Sequence, residues 1–241
     1  MRVTAPVVFF TGAGISVAAG LPTYRGAGGI YEGSDLEPPH ARDATEAGIA
    51  ALWERFSGRL LATRNVQPTR AHRAIAALAV SDQAVEDAVT VITQNVDGLH
   101  VLAGSPDVIE LHGSLRRVRC LHCHQRGSLP DADEWQDGVP VCTTCQGPCR
   151  PDIVLFGEQL SAGALTTAAS AVSRARTVVA VGTSGSVYPA ALLIERQANA
   201  QAERVWVNPA PPPDADWTWI EADADSGVEA LLAGTPGMPR P

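Results

Sequence analysis

Strand-length apolar runs that stop in small or polar residues recur along this 241-residue chain. They are Val7–Thr11, Val89–Thr93, Val108–Leu111, Ile153–Phe156, Val178–Val181 and Val205–Val207. Each is short for a helix and predominantly apolar, as suits a parallel strand covered on both faces. Stretches with helical periodicity, such as Leu160–Arg174 and Pro189–Ala200, lie between several of them. That alternation predicts an α/β fold with a doubly wound parallel sheet. Two stretches interrupt it. Residues 27–80 open as a Gly/Pro-rich loop and continue as helices over Thr45–Arg64 and Thr69–Val80. Residues 116–151 hold four cysteines, several turn residues and little periodicity. The tail, 234–241, reads as disordered.

Charge and composition narrow the chemistry. Eighteen basic against 26 acidic residues leave a formal charge of −8, which disfavours direct binding to nucleic acid or to an anionic membrane. Every basic residue is Arg, so a Schiff-base lysine and a P-loop lysine are both excluded. No basic-then-apolar leader precedes the first strand and no 18-residue apolar run occurs, so a soluble, cytoplasmic protein is expected. Five cysteines in that compartment point to metal or chemistry before disulfides.

The cysteines support the metal reading. Cys120-x2-Cys123 and Cys142-x2-Cys145 stand 18 residues apart, within zinc-ribbon spacing. Neither pair opens a helix after a strand, as a redox CxxC would. Four protein thiolates leave no open position, so one structural zinc is expected, with Cys149, His122 and His124 as spare donors nearby.

The strand ends carry the other signals. "FFTGAGISVAAGLPTYRG" places Gly12 and Gly14 after the first strand, but Val17 stands where a dinucleotide fingerprint has its third glycine. Gly182-Thr183-Ser184 follows another strand and Asn208 a third; such loops at strand carboxyl ends are where an open α/β sheet takes a nucleotide. "VITQNVDGLH" ends a strand in Thr93-Gln94-Asn95, with Asp97 two residues on. "VIELHGSL" puts His112 at the end of another strand, a general-base candidate.

Taken together, "GAGISVAAGLPTYRG", "TQNVDGLH", "LHGSL", the paired CxxC, "RPDIVLFGE", "GTSGSVYPAA" and "VNP" resemble, in order and spacing, the sirtuins, NAD-dependent protein-lysine deacylases. The likeness runs from about Val7 to Leu232 and looks closest to the bacterial desuccinylase-like group. It implies a Rossmann-like part (1–35, 88–115 and 152–233) and a small domain made of a helical insert (36–87) and a zinc ribbon (116–151). It implies removal of acetyl or succinyl groups from lysine, with NAD consumed to nicotinamide and O-acyl-ADP-ribose, on acyl-lysine proteins or peptides. His112 would be the base drawing a ribose proton, Asn95 would position ribose or water, and Asp97 would bond the nicotinamide carboxamide. Gly12, Ala13, Gly14, Ser16, Gly20, Gln94, Val96, Gly182, Thr183, Ser184, Asn208 and Ala224 would line the NAD site, and Pro22, Thr23, Tyr24 and Arg25 would start a loop that closes on it.

The same likeness places the acyl-lysine peptide as a strand between Val154, Phe156, Gly157 and Glu158 on one side and Val187 and Tyr188 on the other. The acyl carboxylate would be read by a Tyr-x-x-Arg pair, here Phe56 and Arg59, so one hydroxyl is missing and a mixed acyl preference is expected. A monomer is favoured. One rival is an ADP-ribosyltransferase on the same scaffold, against which His112 speaks, since transfer needs no such base after the first step. The other is a non-catalytic NAD-sensing zinc module, against which Asn95, Asp97 and His112 together speak. The absent third glycine speaks against a hydride-transferring dehydrogenase.

Overall fold

Val7, Phe9 and Val8, Phe10 alternate sides of one strand, and all four are buried. The computed structural model explains why, and it describes residues 3–24, 29–30, 37–81, 88–131, 135, 138–196 and 198–233. The side chains of Arg59, Leu61, Arg64 and Arg196 lie outside the described part, as do Arg25 and the tail 234–241. In chain order the elements are β1 (Val7–Thr11), α1 (Ile49–Asn65), α2 (Arg70–Ala79), β2 (Val89–Thr93), α3 (Leu99–Leu102), β3 (Val108–Glu110) and β4 (Gly113–Cys120). Then follow β5 (Arg126–Ser128), β6 (Cys149–Ile153), α4 (Ala162–Arg174), β7 (Thr177–Val181), α5 (Ala191–Arg196), β8 (Glu203–Val207), β9 (Thr218–Ile220) and α6 (Ala224–Leu232).

Six strands form one parallel sheet in the order β3-β2-β1-β7-β8-β9. On one face Ile75 and Leu78 of α2 and Val228, Leu231 and Leu232 of α6 cover Val7, Phe9, Val91, Val179 and Val207. On the other, Ala168 and Val172 of α4 and Leu193 and Ile194 of α5 cover Val8, Phe10, Ile92 and Val178. Truncating a fully buried Phe such as Phe9 or Phe10 to Ala costs about 3–5 kcal/mol in such a core. The chain leaves β1 towards β2 and β3 on one side and builds β7, β8 and β9 on the other. Strand order therefore reverses between β1 and β7, and a crevice opens there at the strands' carboxyl ends.

A third core lies apart from the sheet. Ile49, Leu52, Trp53, Phe56 and Leu60 of α1 pack on Leu115, Val118, Cys142, Cys149 and Leu155. Trp53 donates its indole N–H to the Cys149 carbonyl at 2.7 Å and lies 4.9 Å from the Trp135 ring. Thus the stretch 36–87 divides: α1 belongs with the ribbon and α2 with the sheet.

Two elements differ from the sequence expectation. The run Ile153–Phe156 is not a strand of the parallel sheet. Pairing there begins at Cys149, ends at Ile153 and runs antiparallel to β4, in a separate sheet ordered β5-β4-β6. Leu155 instead enters the third core, while Phe156 makes only a single bridge to His40. An apolar run records burial and not its partner. The edge strand β9 is not legible because its three residues, Thr218, Trp219 and Ile220, are largely exposed and form no apolar run.

Candidate active site

Two loops cross at the reversal point. The Gly12 amide donates to the Val181 carbonyl at 3.1 Å and the Gly14 amide to the Gly182 carbonyl at 2.8 Å. A methyl group on Gly12 would lie 2.8 Å from the Gly182 oxygen, and one on Gly14 would lie 2.6 Å from the Gly182 Cα. Backbone meets backbone here, so Gly12 and Gly14 are required by the facing loop before any ligand is considered. Ala13–Ala19 then form a 3-10 helix in place of the α-helix of a dinucleotide fold, closed by Gly20 in the left-handed region at φ 85°.

The polar groups read from sequence converge on this crossing. Asn95 donates from Nδ2 to the Gly12 carbonyl at 3.1 Å and to Ser16 Oγ at 3.3 Å. Ser16 Oγ in turn donates to Asp97 Oδ2 at 2.7 Å, and the other Asp97 oxygen accepts from the Leu99 amide at 2.9 Å. Asp97 is buried, and Arg116 braces it by donating from Nε to the Asp97 carbonyl at 2.9 Å. Val96 lies against the third core.

Thr183 is a hub on the opposite side. Its hydroxyl accepts from Gln94 Nε2 at 3.0 Å and its carbonyl accepts from Asn208 Nδ2 at 2.7 Å. Asn208 Oδ1 accepts from the Ala210 amide, so this side chain ties one strand-end loop to the next. Ser184 stands exposed beside the hub, and Ala224 begins α6 under the Asp223 cap. Pro22, Thr23 and Tyr24 follow the 3-10 helix with Tyr24 40% exposed; Arg25 lies outside the described residues.

His112 has the geometry of a base. Its Nδ1 lies 2.7 Å from the Gln94 carbonyl. A carbonyl can only accept, so Nδ1 carries the proton and Nε2 keeps its lone pair. Burial lowers its pKa from the ordinary histidine value, against an opposing pull from the Gln94 carbonyl, and the ring stays neutral at neutral pH. Its carbonyl accepts from the Val154 amide at 2.9 Å, which joins the base to the segment expected to hold substrate.

That segment is tightly held. Glu158 receives Arg150 at 2.5 and 3.0 Å and the Leu155 amide at 2.8 Å. Burial resists the Glu158 charge, but Arg150 and the amide more than offset it and hold the carboxyl below its ordinary value. Phe156, Val187 and Tyr188 are exposed at 44%, 40% and 61%. Phe56 is buried, at 2% exposure, among the apolar side chains of the third core; the side chain of Arg59, also on α1, lies outside the described part.

Sequence reading missed a buried histidine pair behind the crossing. His72 and His100 meet with ring centroids 4.5 Å apart and ring planes tilted by 56°. Thr69 Oγ1 lies 2.8 Å from His72 Nδ1 and donates to the Ile15 carbonyl at 3.2 Å, while Thr11 Oγ1 lies 3.0 Å from His100 Nε2. Burial lowers both pKa values, that of His72 to about 4 despite Asp97 and Asp225 nearby. Nothing in the sequence links two histidines on different helices. Only the fold brings them together.

The four paired cysteines form the metal centre. Their Sγ atoms all lie within 4.8 Å, with Cys120–Cys145 at 3.5 Å, Cys123–Cys142 at 3.6 Å and Cys123–Cys145 at 3.5 Å. A tetrahedron with zinc–sulfur bonds of about 2.3 Å has edges of about 3.8 Å, so the set fits zinc. The His122 and Thr144 amides donate to Cys120 and Cys142 Sγ at 3.3 and 3.4 Å, which favours the thiolate form. Cys149 is buried beside the cluster but outside it, and burial and the adjacent thiols push its own thiol up to about 12.

Comparison with known proteins agrees with this geometry. The sequence profile of the Sir2 family matches residues 12–189. NAD-dependent protein deacylase 2 of Pyrobaculum aerophilum is 42% identical over 205 residues, 84% of this chain and 80% of that one. An NAD-dependent protein deacylase of Thermus thermophilus is 39% identical over 232 residues, 95% of this chain and 90% of that one. A solved Sir2 structure with a p53 peptide and NAD+ superposes with a TM-score of 0.75 at 31% identity, covering 94% of this chain and 91% of that one.

Proposed function

The chain belongs to the Sir2 family, and we propose that it removes acyl groups from protein lysines at the expense of NAD. The observation that carries this reading is the state of His112: its Nδ1–H is committed to the Gln94 carbonyl and its Nε2 is left as a base beside the loop crossing. NAD would supply an activated ribose carbon, the bond to nicotinamide being the one that breaks. Gly12, Ala13, Gly182, Thr183 and Ser184 would hold its pyrophosphate and adenosine half, with Asn208 and Ala224 fixing the loops around it. Asp97, oriented by Ser16 and the Leu99 amide, would present its carboxylate to the carboxamide end. Asn95 would position ribose or water, and His112 would take up a ribose hydroxyl proton on Nε2, a contribution of about 10²–10⁴ in rate.

The acyl-lysine would enter as an extended strand between residues 154–158 and 186–189. The Phe156 backbone is already paired with Pro39 and Ala41, which leaves Gly157 as the natural partner of that strand. Exposed Phe156 and Val187 would line the lysine stem. Phe56 supplies no hydroxyl for an acyl carboxylate, so succinyl recognition would rest on Arg59 and acetyl-lysine should also be accepted. The test is incubation of acetyl- and succinyl-lysine peptides with NAD, read by mass. Release of nicotinamide and O-acyl-ADP-ribose in step with deacylated peptide supports the reading; nicotinamide release with a modified protein and no deacylated peptide overturns it.

A further inference from the structure

The outer face of the ribbon sheet carries an arrangement that costs stability. Arg119 in β4 pairs with Arg126 of β5 on one side and with Arg150 of β6 on the other. Cross-strand partners share a face, and like charges placed directly opposite each other are destabilising. Two of the three are compensated. Arg126 reaches Asp152 at 3.2 Å, and Arg150 closes on Glu158. Neighbouring Arg117 is likewise engaged, by Glu110 at 2.6 Å and Asp152 at 3.5 Å. The central Arg119 makes no ion pair among the described residues. The acid that feels its charge, Glu158, has both oxygens on Arg150 already.

Arg117, Arg119 and Arg126, with the acids Glu110, Asp152 and Glu158, line a cleft of about 570 Å³ that Gly113, Val154, Gln159 and Ser161 also bound. Val154 and Glu158 are the two ends of the segment proposed to take the substrate strand, and Gly113 follows His112. The cleft thus continues from the acyl-lysine site. Glu110, Asp152 and Glu158 are all taken up by Arg117, Arg126 and Arg150, so in a chain of net charge −8 Arg119 stands as a cation without a direct ion pair in this cleft. We propose that Arg119 and this row recognise acidic side chains flanking the acyl-lysine of the substrate protein, so that the enzyme selects its substrates partly by charge. The inference rests on the deacylase reading for the course of the substrate strand.

Binding of labelled acetyl-lysine peptides by fluorescence anisotropy tests it, with glutamates or glutamines placed before or after the acetyl-lysine. One glutamate peptide should bind about three- to fivefold more tightly than its glutamine counterpart at low salt, as partly exposed ion pairs allow, and the gap should close at about 0.5 M NaCl. Arg119→Gln should bring the ratio to about one with a Tm at or above the parent's, because it relieves like-charge opposition. Arg119→Glu should reverse the preference towards basic flanks. Equal affinities for glutamate and glutamine peptides, or a preference that survives Arg119→Gln, would overturn the proposal. The readout is binding, so peptides that bind with this preference but are never deacylated would sink the deacylase reading and leave the charge selection standing.

Discussion

The loop crossing and the ribbon sheet solve the same problem, holding reactive groups on a short scaffold, in opposite ways. At the crossing nearly every polar side chain has a protein partner: Asn95 on Gly12, Ser16 on Asp97, Gln94 and Asn208 on Thr183. Beneath it stands a six-stranded sheet buried on both faces. The ribbon has three short strands, four thiols converging on one point and an arginine with no partner acid among the described residues. One region is organised by its own hydrogen bonds. The other leaves valence and charge for something outside the chain. Preorganisation suits the step that moves a proton, while unspent charge suits the surface that meets a partner.

The largest expected effect breaks the second region alone. Cys142→Ser should abolish zinc binding, and since structural zinc supplies about 10 kcal/mol or more of folding free energy in small modules, the ribbon should unfold. Metal analysis and proteolysis would show about one zinc lost and new cleavage within 116–151. Cys149→Ala, outside the cluster, should keep the metal. Equal zinc loss in both variants would break the comparison.

Next in size, Arg150→Met strands Glu158 without its cation. Loss of one partner of a mostly buried pair should cost about 3 kcal/mol in denaturant unfolding. The Arg150→Met/Glu158→Gln double variant should recover a good part of that, and a double variant no more stable than the single one would show the pair does not act as a unit.

At the crossing, His112→Ala should keep ADP-ribose affinity within a few-fold yet lower deacylation at least about a hundredfold. Activity within about threefold of the parent would remove His112 as the base. The buried pair makes a smaller, pH-dependent contribution. His72 has a folded pKa depressed to about 4 from an unfolded value near 6.5, so the unfolded chain binds more protons between those limits. The stability that neutral His72 contributes is complete above about pH 6.5 and is lost as pH falls towards about 4, with His100 adding in the same direction. His72→Asn should flatten the fall of Tm over that window, and an unchanged slope would place the acid sensitivity elsewhere. The smallest effect concerns acyl choice: Arg59→Met should lower the succinyl-to-acetyl ratio of kcat/KM, and an unchanged ratio would leave a plain deacetylase.

What was legible in the sequence follows the same division. Strands buried on both faces announce themselves, and β1, β2, β7 and the Val205–Val207 part of β8 appear as predominantly apolar runs. The polar residues at their ends could be placed on one edge because parallel strands end together. The metal centre was legible because ligand spacing is local. What escaped was pairing. Nothing in "CRPDI" tells that Cys149–Ile153 lies antiparallel beside Gly113–Cys120, and the alignment of Arg126, Arg119 and Arg150 exists only once that register is set. His72 and His100 are hidden for the same reason. Phe56 was legible as part of a pair but not as a side chain enclosed by its own core.

Trp53 spans the seam between α1 and the ribbon, its indole on the Cys149 carbonyl and its ring beside Trp135. Two indoles at 4.9 Å couple electronically, so this seam should contribute its own near-ultraviolet circular dichroism. A second coupled pair, Trp206 and Trp217 at 5.4 Å, belongs to the large sheet and shares no residue with the ribbon. It supplies a constant background against which the first pair can be read. The docking of the metal module on its helix thereby becomes an optical observable, followed in real time as a chelator is added and without any label.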